Sequence, residues 1–514
     1  MASRKSDRDL PLVSPIDFDP PSNGEFCPTP GSERSRRMYE LWRTIVEEKH
    51  RRLGMTRRHF AESACGVAAA LYVLNACGSS EEAARGQGGG SGGSGGGSGG
   101  SGGSGGGRGG SGGLDASPDA IADSGSYDVT PDMLEDQDAA RDRISGNEFI
   151  FDVQVHVSEP LQPWSAATPP ERALDFIKQI FVQSDTTVAC VSGIPAARNL
   201  GMAHNDANAV LAQIVDRLGG PRLIMHANAD PERGAAELDY MASVTDLYRI
   251  GAFKVYPHAG TLWLDSDEIG GPFIERARAL GVRVIAAHRG ISGTNHQAYE
   301  DAASPVDVVR AAKMFPDVNF LVYHSGYEPA SGSENHPFDP TRPGPTGVDR
   351  LVKALLDDGI APNSNVYAEL GTTWNRLMTR PADAGHVLGK LLRYVGEDRV
   401  LWGTDCVFNG VPQSQIAAMR TFVIPTALQE QYGYPALTDA VRRKIFGLNG
   451  AAVYGVDPAA VRFVIRDDDV ERLRVAYRED PRSVPMPHRD EYVGPRTRRE
   501  FLAFLARGDH KHIG

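Results

Sequence analysis

The feature that most constrains the fold is the regular alternation of short apolar segments with amphipathic segments between residues 149 and 456. The segments between the apolar ones have helical periodicity, and VDRLVKALLDDG, for example, places its apolar residues on one stripe and stops at Gly359. The apolar segments read as buried strands: FIFDVQVHV, TTVACVSG, PRLIMHAN, GAFKVYP, VRVIAAH, VNFLVYH, NVYAELG and RVLWGTD. Strict alternation of this kind predicts a parallel sheet covered by helices.

Eight strand–helix units predict an α/β fold of the closed (β/α)8 type, a TIM barrel, in residues 127–456. An open doubly wound sheet is the competing fold. It needs a glycine-rich phosphate loop after the first strand, and HVSEP is not such a loop. In a (β/α)8 barrel, active-site residues lie at the C-terminal ends of the strands, so these ends are where chemistry is expected.

Polar side chains are concentrated at those strand ends. Strand 1 ends with Gln154 and His156, which share one face because side chains two apart on a strand point the same way. The other strand-end residues are Lys254 on strand 4, His288 and Arg289 on strand 5, His324 on strand 6, Glu369 on strand 7 and Asp405 on strand 8. A single histidine at a strand end is more often a packing residue. Imidazoles and a carboxylate together predict a catalytic divalent metal site that leaves a position for water.

The motifs DVQVH, FKVYP, VIAAH, FLVYHSG, NVYAELG, VLWGTD and RRKIFGLNGAAVYGVD resemble, in this order, the amidohydrolase superfamily. They are most similar to its branch of small-ring decarboxylases, lactonases and other hydrolases, over about residues 149 to 456. The resemblance implies one metal ion, commonly zinc or manganese. Its ligands would be Gln154, His156, His288 and Asp405, with Asp405 also accepting a proton from the attacking water and His324 acting on the substrate.

Strand 1 departs from the family pattern, in which it usually ends His-x-His and sometimes has glutamate first. Gln154 stands at that first position, and a carboxamide oxygen is a neutral and weaker donor than imidazole. In one interpretation Gln154 is a ligand, with lowered affinity and a bias towards a harder ion such as Mn²⁺. In the other there is no metal, and Gln154 donates a hydrogen bond to the substrate. The remaining ligand types favour the first.

Other strand-end residues have two interpretations each. The guanidinium fork of Arg289 suits a substrate carboxylate, but an arginine after a strand is equally often a surface residue. Lys254 would be a carbamylated bridge between two metals in the wider superfamily pattern, although an ion-pair partner is the favoured interpretation. Glu369 is expected to orient a histidine at the substrate site. Tyr327 and Trp374 form an apolar wall for a ring substrate, or they pack long loops onto the barrel.

The chain ahead of the barrel resembles an export region. Residues 1–54 are a polar extension, and residues 55–85 contain Arg57-Arg58 followed by an apolar run too short to span a membrane. This order is typical of a twin-arginine signal, and LNAC resembles a lipobox that would make Cys77 a lipidated first residue. An amphipathic helix with a chance Arg-Arg pair is the alternative.

Residues 86–126 are rich in glycine and serine and predict a flexible coil, which would tether a membrane anchor to the catalytic domain. We therefore expect residues 1–126 to be disordered or separate from the core. The predicted location is the cell envelope, reached by export, with the membrane contacted only through the lipid anchor. The cytoplasm is the alternative. Residues 457–514 form a C-terminal extension without a recognisable motif.

Composition excludes some classes of partner. Lys and Arg number 54 against 66 Asp and Glu, a net charge of −12 without a basic run, which argues against nucleic acid. The five cysteines have no CxxC spacing and predict no disulfide framework. The expected partner is a small-molecule substrate, and a homodimer is the default assembly.

Three functions follow from these observations. The leading one is a metal-dependent hydrolase that acts on an amide, lactone or ester. The second is a non-oxidative decarboxylase of a hydroxylated aromatic or unsaturated acid on the same metal site. The third is a degenerate barrel that binds a ligand without converting it, and the glutamine on strand 1 keeps it open.

Overall fold

The computed structural model describes residues 12–22, 28, 31–78, 126–157, 170–193, 202–257, 262–291, 303–328, 332–480 and 495–506.

Eight parallel strands form the barrel, as predicted. They pair in chain order: β1 (Phe151–Val155), β2 (Val188–Val191), β3 (Leu223–Asn228), β4 (Ile250–Val255), β5 (Val284–His288), β6 (Asn319–Tyr323), β7 (Val366–Glu369) and β8 (Val400–Leu401). The ring closes between β1 and the residues that follow β8. The Val153 N–H donates to the Trp402 carbonyl (2.9 Å), and the Asp405 N–H donates to the Gln154 carbonyl (2.9 Å).

Helices surround the sheet and extend beyond it at both ends of the chain. In chain order they are α1 (Glu33–Arg52), α2 (Arg57–Glu62), α3 (Ala64–Gly78), α4 (Gln137–Ile144), α5 (Pro170–Ile177), α6 (Met202–Gly219), α7 (Ala235–Leu247), α8 (Gly270–Ala279), α9 (Val306–Met314), α10 (Val348–Asp357), α11 (Thr373–Leu377), α12 (Pro381–Lys390), α13 (Gln413–Thr421), α14 (Thr426–Tyr432), α15 (Asp439–Arg443), α16 (Asn449–Tyr454), α17 (Pro458–Ile465), α18 (Asp469–Glu479) and α19 (Arg498–Ala506). Wider π-helical turns continue α5, α12 and α15, at Lys178–Val182, Leu391–Val395 and Lys444–Leu448. A two-residue strand, Ser126–Tyr127, pairs antiparallel with Phe422–Val423.

Apolar burial holds the barrel together. One cluster joins residues from strands around the sheet, among them Val153, Cys190, Ala252, Leu321 and Leu401. The helices bury their apolar stripes against the outside of the sheet, and α10 buries Leu351, Val352 and Leu355 as predicted. Leu356 is exposed instead, because at about 100° per residue it lies at the edge of that stripe.

The N-terminal helices correct one prediction. Residues 33–78 are neither disordered nor outside the core, because α1 and α3 belong to the same apolar cluster as the outer face of the barrel. Leu71 and Leu74 of α3 are fully buried, as are Trp42 and Val46 of α1. An apolar run of this length suits a buried core helix as well as a signal. None of the described helices is both long enough and apolar enough to cross a membrane.

The C-terminal extension also packs on the barrel domain. Buried Arg222 donates to both carboxylate oxygens of Asp468 (3.0 Å each), just ahead of α18. Arg474 of α18 donates to the carbonyl oxygens of Phe181 and Thr186 (2.7 and 2.6 Å). Residues 457–480 therefore cover the outside of the early strand–helix units.

Candidate active site

The ends of β1 and β8 bring Gln154, His156 and Asp405 together. His156 Nε2 lies 3.0 Å from Asp405 Oδ1. Gln154 Nε2 lies 3.1 Å from the same oxygen and 3.4 Å from His156 Nε2. All three side chains are at most 3% exposed. Residues 251 positions apart in sequence thus form a compact triangle of polar atoms at the barrel mouth, as predicted from the strand ends.

The His156 ring has a defined proton arrangement. Its Nδ1 lies 3.0 Å from the Ser192 carbonyl oxygen, which can only accept, so Nδ1 carries a proton. In the neutral ring Nε2 is then a bare lone pair facing the Asp405 carboxylate. Two electron-rich atoms at 3.0 Å repel each other unless a positive charge lies between them. A proton on Nε2 or a metal ion satisfies this requirement.

The Asp405 carboxylate is fixed by residues that the sequence reading did not identify. The Thr372 hydroxyl donates to Asp405 Oδ2 (2.5 Å), and Asn409 Nδ2 donates to the Thr372 hydroxyl oxygen (2.8 Å). These two hydrogen bonds fix the carboxylate so that Asp405 Oδ1 faces Gln154 and His156. Burial alone would raise the pKa of Asp405, but the hydrogen bond and charge of His156 outweigh it and hold that pKa well below its usual range.

Asp152 connects the two strands beneath this triangle. Its carboxylate accepts the Thr404 hydroxyl (2.5 Å) and the backbone N–H groups of Thr404 (3.0 Å) and Gln154 (3.2 Å). Burial raises its pKa to about 7. Asp152 lies two residues before Gln154, so strand alternation could have identified it. Thr372 and Asn409 lie in loops and give no such signal.

His288 and His324 form a second pair at the mouth, where β5 and β6 end. His324 Nδ1 lies 2.7 Å from the Gly371 carbonyl oxygen, so Nδ1 carries the proton. His324 Nε2 lies 3.2 Å from His288 Nδ1 and must accept that hydrogen bond. Burial lowers the pKa of His324 to about 4, so the ring is neutral near pH 7.

Glu369 lies under this pair. Its carboxyl oxygens accept the backbone N–H groups of His324 (3.0 Å) and Gly371 (2.5 Å). Burial raises its pKa to about 8. A Cβ at position 371 would lie 2.1 Å from Gln154 Oε1 and 2.6 Å from Glu369 Oε1, so only glycine allows this approach. The geometry gives Glu369 a positioning role for His324, and its predicted contact with substrate stays a prediction.

Backbone strain is concentrated at the same strand ends. Among the described residues, non-glycine residues with positive φ are Ile291, His324, Ser325, Asn363, Thr372 and Asp405. All except Asn363 follow β5, β6, β7 or β8. Side chains other than glycine rarely adopt this conformation, and each instance costs on the order of 1–3 kcal/mol. Stability is given up here to aim His324, Thr372 and Asp405 at one place.

Lys254 adds a buried positive charge where β4 ends. Its ammonium lies 3.3 Å from the centre of the Tyr323 ring and 4.8 Å from that of Tyr256. The Tyr256 ring in turn lies 5.6 Å from the His288 ring. These contacts place a cation held by aromatic faces beside the histidine pair, a stabilising arrangement when water is excluded.

Three residues predicted to contact substrate have structural contacts instead. Arg289 is fully buried and forms an ion pair with Asp307, which is also fully buried. Trp374 Nε1 donates to the Gln415 carbonyl oxygen (2.9 Å), and Tyr327 belongs to the outer apolar core. These contacts favour the packing role for Tyr327 and Trp374 and a structural ion pair for Arg289. The ring of Phe408 lies 5.8 Å from that of His156.

The triangle fits a divalent metal ion. Two atoms bound about 2.1 Å from one ion lie about 3.0 Å apart in octahedral and about 3.4 Å apart in tetrahedral geometry, and the three edges are 3.0, 3.1 and 3.4 Å. Gln154 Oε1 is buried and accepts no hydrogen bond within the described ranges. A half-turn of the amide exchanges its oxygen and nitrogen and supplies the third donor. Where the structure is described, His, Cys, Asp and Glu alone form no group of three that could hold a metal ion.

Comparison with known proteins supports one family. A family model described as amidohydrolase matches residues 152–456, more than half of the chain. A comparison with curated protein sequences gives no match.

Several solved structures are similar to the chain at low identity. A 5-carboxyvanillate decarboxylase from Sphingomonas paucimobilis is 15% identical, covering 60% of this chain and 99% of its own, with a TM-score of 0.40. A dihydroxybenzoic acid decarboxylase from Polaromonas, with bound manganese and an inhibitor, is 15% identical with coverages of 60% and 97% and a TM-score of 0.37. A 4-oxalomesaconate hydratase from Rhodopseudomonas palustris is 14% identical with coverages of 62% and 98% and a TM-score of 0.39. TM-scores below 0.5 carry no argument, so the family assignment depends on the sequence match.

Proposed function

The chain belongs to the amidohydrolase family, and we propose that it is a metal-dependent hydrolase that acts on the carbonyl group of a small molecule, such as an amide, lactone or ester. One observation carries the proposal: Gln154 Nε2, His156 Nε2 and Asp405 Oδ1 lie 3.0–3.4 Å from one another at the barrel mouth, and a half-turn of the amide would place the Gln154 oxygen at the nitrogen's position. The His288–His324 pair lies at the next strand ends.

One divalent ion, Zn²⁺ or Mn²⁺, would be held by His156 Nε2, Asp405 Oδ1 and the Gln154 carboxamide oxygen. His288 is the further ligand that the family resemblance implies. Such an ion activates water and polarises a carbonyl group. Two oxygen ligands among these donors favour the harder Mn²⁺ over Zn²⁺. The dihydroxybenzoic acid decarboxylase from Polaromonas contains bound manganese.

The chain's own residues would then move the protons. With Oδ1 assigned to the metal, Asp405 Oδ2 is the oxygen that would take the proton of an attacking water, because it accepts the Thr372 hydroxyl and keeps a further lone pair. His324 keeps its Nδ1 proton on the Gly371 carbonyl oxygen. Its Nε2, which lies 3.2 Å from His288 Nδ1, is therefore the atom that would exchange a proton with the substrate. Burial of all these groups excludes bulk water and strengthens each interaction.

Decarboxylation of a hydroxylated aromatic or unsaturated acid is the second candidate, and one observation favours it. The buried Lys254 ammonium and the Tyr256 ring lie beside His288. A fixed cation next to an aromatic face suits a substrate that carries a carboxylate on a planar ring.

The deciding experiment combines metal analysis with a product screen. Protein purified from cells should contain about one Mn or Zn per chain, and chelation should abolish turnover in proportion to the metal removed. A panel of amides, lactones, esters and phenolic acids, assayed for hydrolysis products and for CO2, separates the two reactions. Full activity without metal would refute the proposal, and ligand binding without turnover would support the non-catalytic barrel.

The location in the cell is a separate hypothesis. Export to the cell envelope is supported by the Arg57-Arg58 pair and the apolar run after it. Lipid attachment at Cys77 would further require removal of residues 1–76, which intact mass measurement detects. Cell fractionation of the native chain and of an Arg57→Lys/Arg58→Lys variant tests export. Loss of envelope protein in the variant would support export, whereas cytoplasmic protein in both cases would support the alternative location.

A further inference from the structure

Helices α1, α2 and α3, here called the N-terminal module, precede the Gly/Ser-rich segment but pack against the domain that follows it. The apolar helix α3 lies against α4, α12 and α13. Its residues Ala68, Ala69, Leu71, Val73 and Leu74 are fully buried. A helix that is apolar on every side requires burial on every side, and α1, α2 and the barrel domain together supply that burial.

Hydrogen bonds also cross between the module and the domain. Asn75 Nδ2 donates to the Tyr127 carbonyl oxygen (2.7 Å), and the Tyr127 N–H donates to Asn75 Oδ1 (2.8 Å). Gln137 Nε2 donates to the Ser63 hydroxyl oxygen (2.8 Å). Glu135 forms ion pairs with two basic residues near the end of α1, Lys49 and Arg52. Asn75 is the polar residue of the lipobox-like LNAC motif. In the folded chain its side chain is paired with the Tyr127 backbone.

The residues described on either side of the Gly/Ser-rich segment lie next to each other. Residue 78 ends α3, residue 126 begins the next described element, and the Asn75–Tyr127 hydrogen bonds join the two sides. A tether is useful between bodies that are apart, whereas these two are already packed together. The free-energy cost of closing a long loop between neighbouring ends is only slightly larger than that of closing a short one. The conformational entropy lost on closure grows only with the logarithm of the number of residues in the loop.

We infer that the N-terminal module is a permanent part of the folded protein, and that the working chain is intact through residue 78. The Gly/Ser-rich segment is then an inserted loop between two packed elements. Release of residues 1–76 would strip α1, α2 and most of α3 from the apolar surface they cover. It would also expose Cys77, which is 4% exposed in the folded chain.

The module is also connected to the loop that orients Asp405, through the domain residue Tyr127 that its Asn75 holds, and this step rests on the proposed function. The Tyr127 hydroxyl donates to the Met378 carbonyl oxygen (2.5 Å), directly after α11. The Tyr127 ring packs on Phe422, which packs on Trp374 of α11 (centroids 5.6 and 5.4 Å). Thr372, at the start of α11, donates to Asp405. The module is therefore a positioning element for Asp405.

Two variants on one helix test whether the module stays in the protein. Val46 of α1 is fully buried and Thr44 is exposed. Val46→Asp should lower the Tm of the purified protein by 10 °C or more, and Thr44→Asp should shift it by less than 2 °C. If the module is removed during maturation, the two variants yield the same mature protein and the same Tm. Intact mass measurement should show residues 1–78, and a chain that begins at Cys77 would overturn the inference.

A protease site placed in the Gly/Ser-rich segment of the full chain provides a second test. After cleavage, the two fragments should elute together in size-exclusion chromatography, with the Tm within a few degrees of the uncut protein. Separated fragments with an unchanged barrel Tm would overturn the inference. Neither this test nor the Tm comparison depends on any activity.

Tyr127→Phe tests the connection to the active site, with Tyr72→Phe on α3 as the matched control. Loss of the Tyr127 hydroxyl should weaken Mn²⁺ affinity three- to tenfold in calorimetric titration while leaving the Tm within a few degrees. Unchanged affinity would refute the positioning role. A wild-type protein that binds no divalent metal would refute the proposed function instead, and the mass and Tm results would still decide whether the module is retained.

Discussion

The barrel buries histidines in two regions, the interior and the mouth, and the hydrogen-bond partners in these two regions differ. His226, in the interior, has a tyrosine hydroxyl at each ring nitrogen: Tyr323 at Nδ1 (3.0 Å) and Tyr454 at Nε2 (2.8 Å). At the mouth, His156 faces a carboxylate and His324 faces another imidazole. Every partner of His226 is neutral, and its backbone is unstrained, whereas His324 has a positive φ.

The difference shows how to distinguish a buried histidine that stabilises the fold from one that serves a reaction. A neutral side chain with both nitrogens satisfied stabilises the core and has no proton to offer. The cluster at the mouth lowers the stability of the folded protein. It needs an added positive charge between His156 and Asp405, and it contains strained backbone. Such a cost is expected where geometry serves a reaction. The two regions should therefore respond to mutation in opposite ways.

The largest expected effect is at the mouth. Asp405→Asn removes the charge that a metal ion needs and the base that accepts the proton of water. We expect kcat/KM to fall at least about 10³-fold, with metal content reduced and the Tm within a few degrees of the native protein. Asp439→Asn, at an exposed carboxylate, is the control. An Asp405→Asn enzyme of normal activity would exclude the assigned role.

The opposite pattern is expected in the interior. His226→Phe keeps a ring of similar size between Tyr323 and Tyr454 but removes both hydrogen bonds. The free energy of unfolding should fall by about 2–3 kcal/mol, because buried hydroxyl groups lose a partner. Mn²⁺ affinity should change by less than twofold. Urea denaturation and calorimetric titration measure the two quantities, and His59→Gln, at an exposed histidine, should alter neither. A marked loss of metal affinity at nearly native stability would erase the distinction between the regions.

The pH dependence of stability should sharpen the comparison. Burial, with a contribution from Lys254, lowers the pKa of His226 from 6.5 to about 3. The unfolded chain therefore binds more protons than the folded one below about pH 6.5, and stability is lost as pH falls. Between pH 7.5 and 5 this group accounts for about 2 kcal/mol. The free energy of unfolding of the native protein should therefore fall by about 2 kcal/mol more between pH 7.5 and 5 than that of His226→Phe. Urea denaturation at each pH measures both. Equal losses would mean that His226 is not held neutral.

The smallest predicted effect is at Gln154. Gln154→His replaces a weak amide donor by imidazole, so Mn²⁺ or Zn²⁺ affinity should rise about tenfold. Gln154→Leu should lower it, because it leaves two donors of the triangle. Calorimetric titration of both variants gives the comparison. Weaker binding in Gln154→His would show that Gln154 donates a hydrogen bond rather than holding the metal.

Much of the barrel and part of the site could be predicted from the sequence. The eight strands follow from local patterns, and strand ends meet at one mouth in any closed parallel barrel. Gln154, His156 and Asp405 could therefore be grouped without coordinates. Thr372 could not, because its position depends on a loop conformation with positive φ that no local pattern specifies. Arg289 followed a strand as expected, but its partner Asp307 on α9 became apparent only from the packing.

The residues before the Gly/Ser-rich segment show the limit most clearly. By itself, the sequence determined that residues 64–76 must be removed from water, because they form a short apolar run. It did not determine what surrounds them. Only the tertiary structure shows which segments of the protein cover them, because α3 packs against α4, α12 and α13 and Asn75 pairs with Tyr127. The pattern of apolar residues specifies burial, but the partner that provides the burial is set by contacts between segments far apart in the chain.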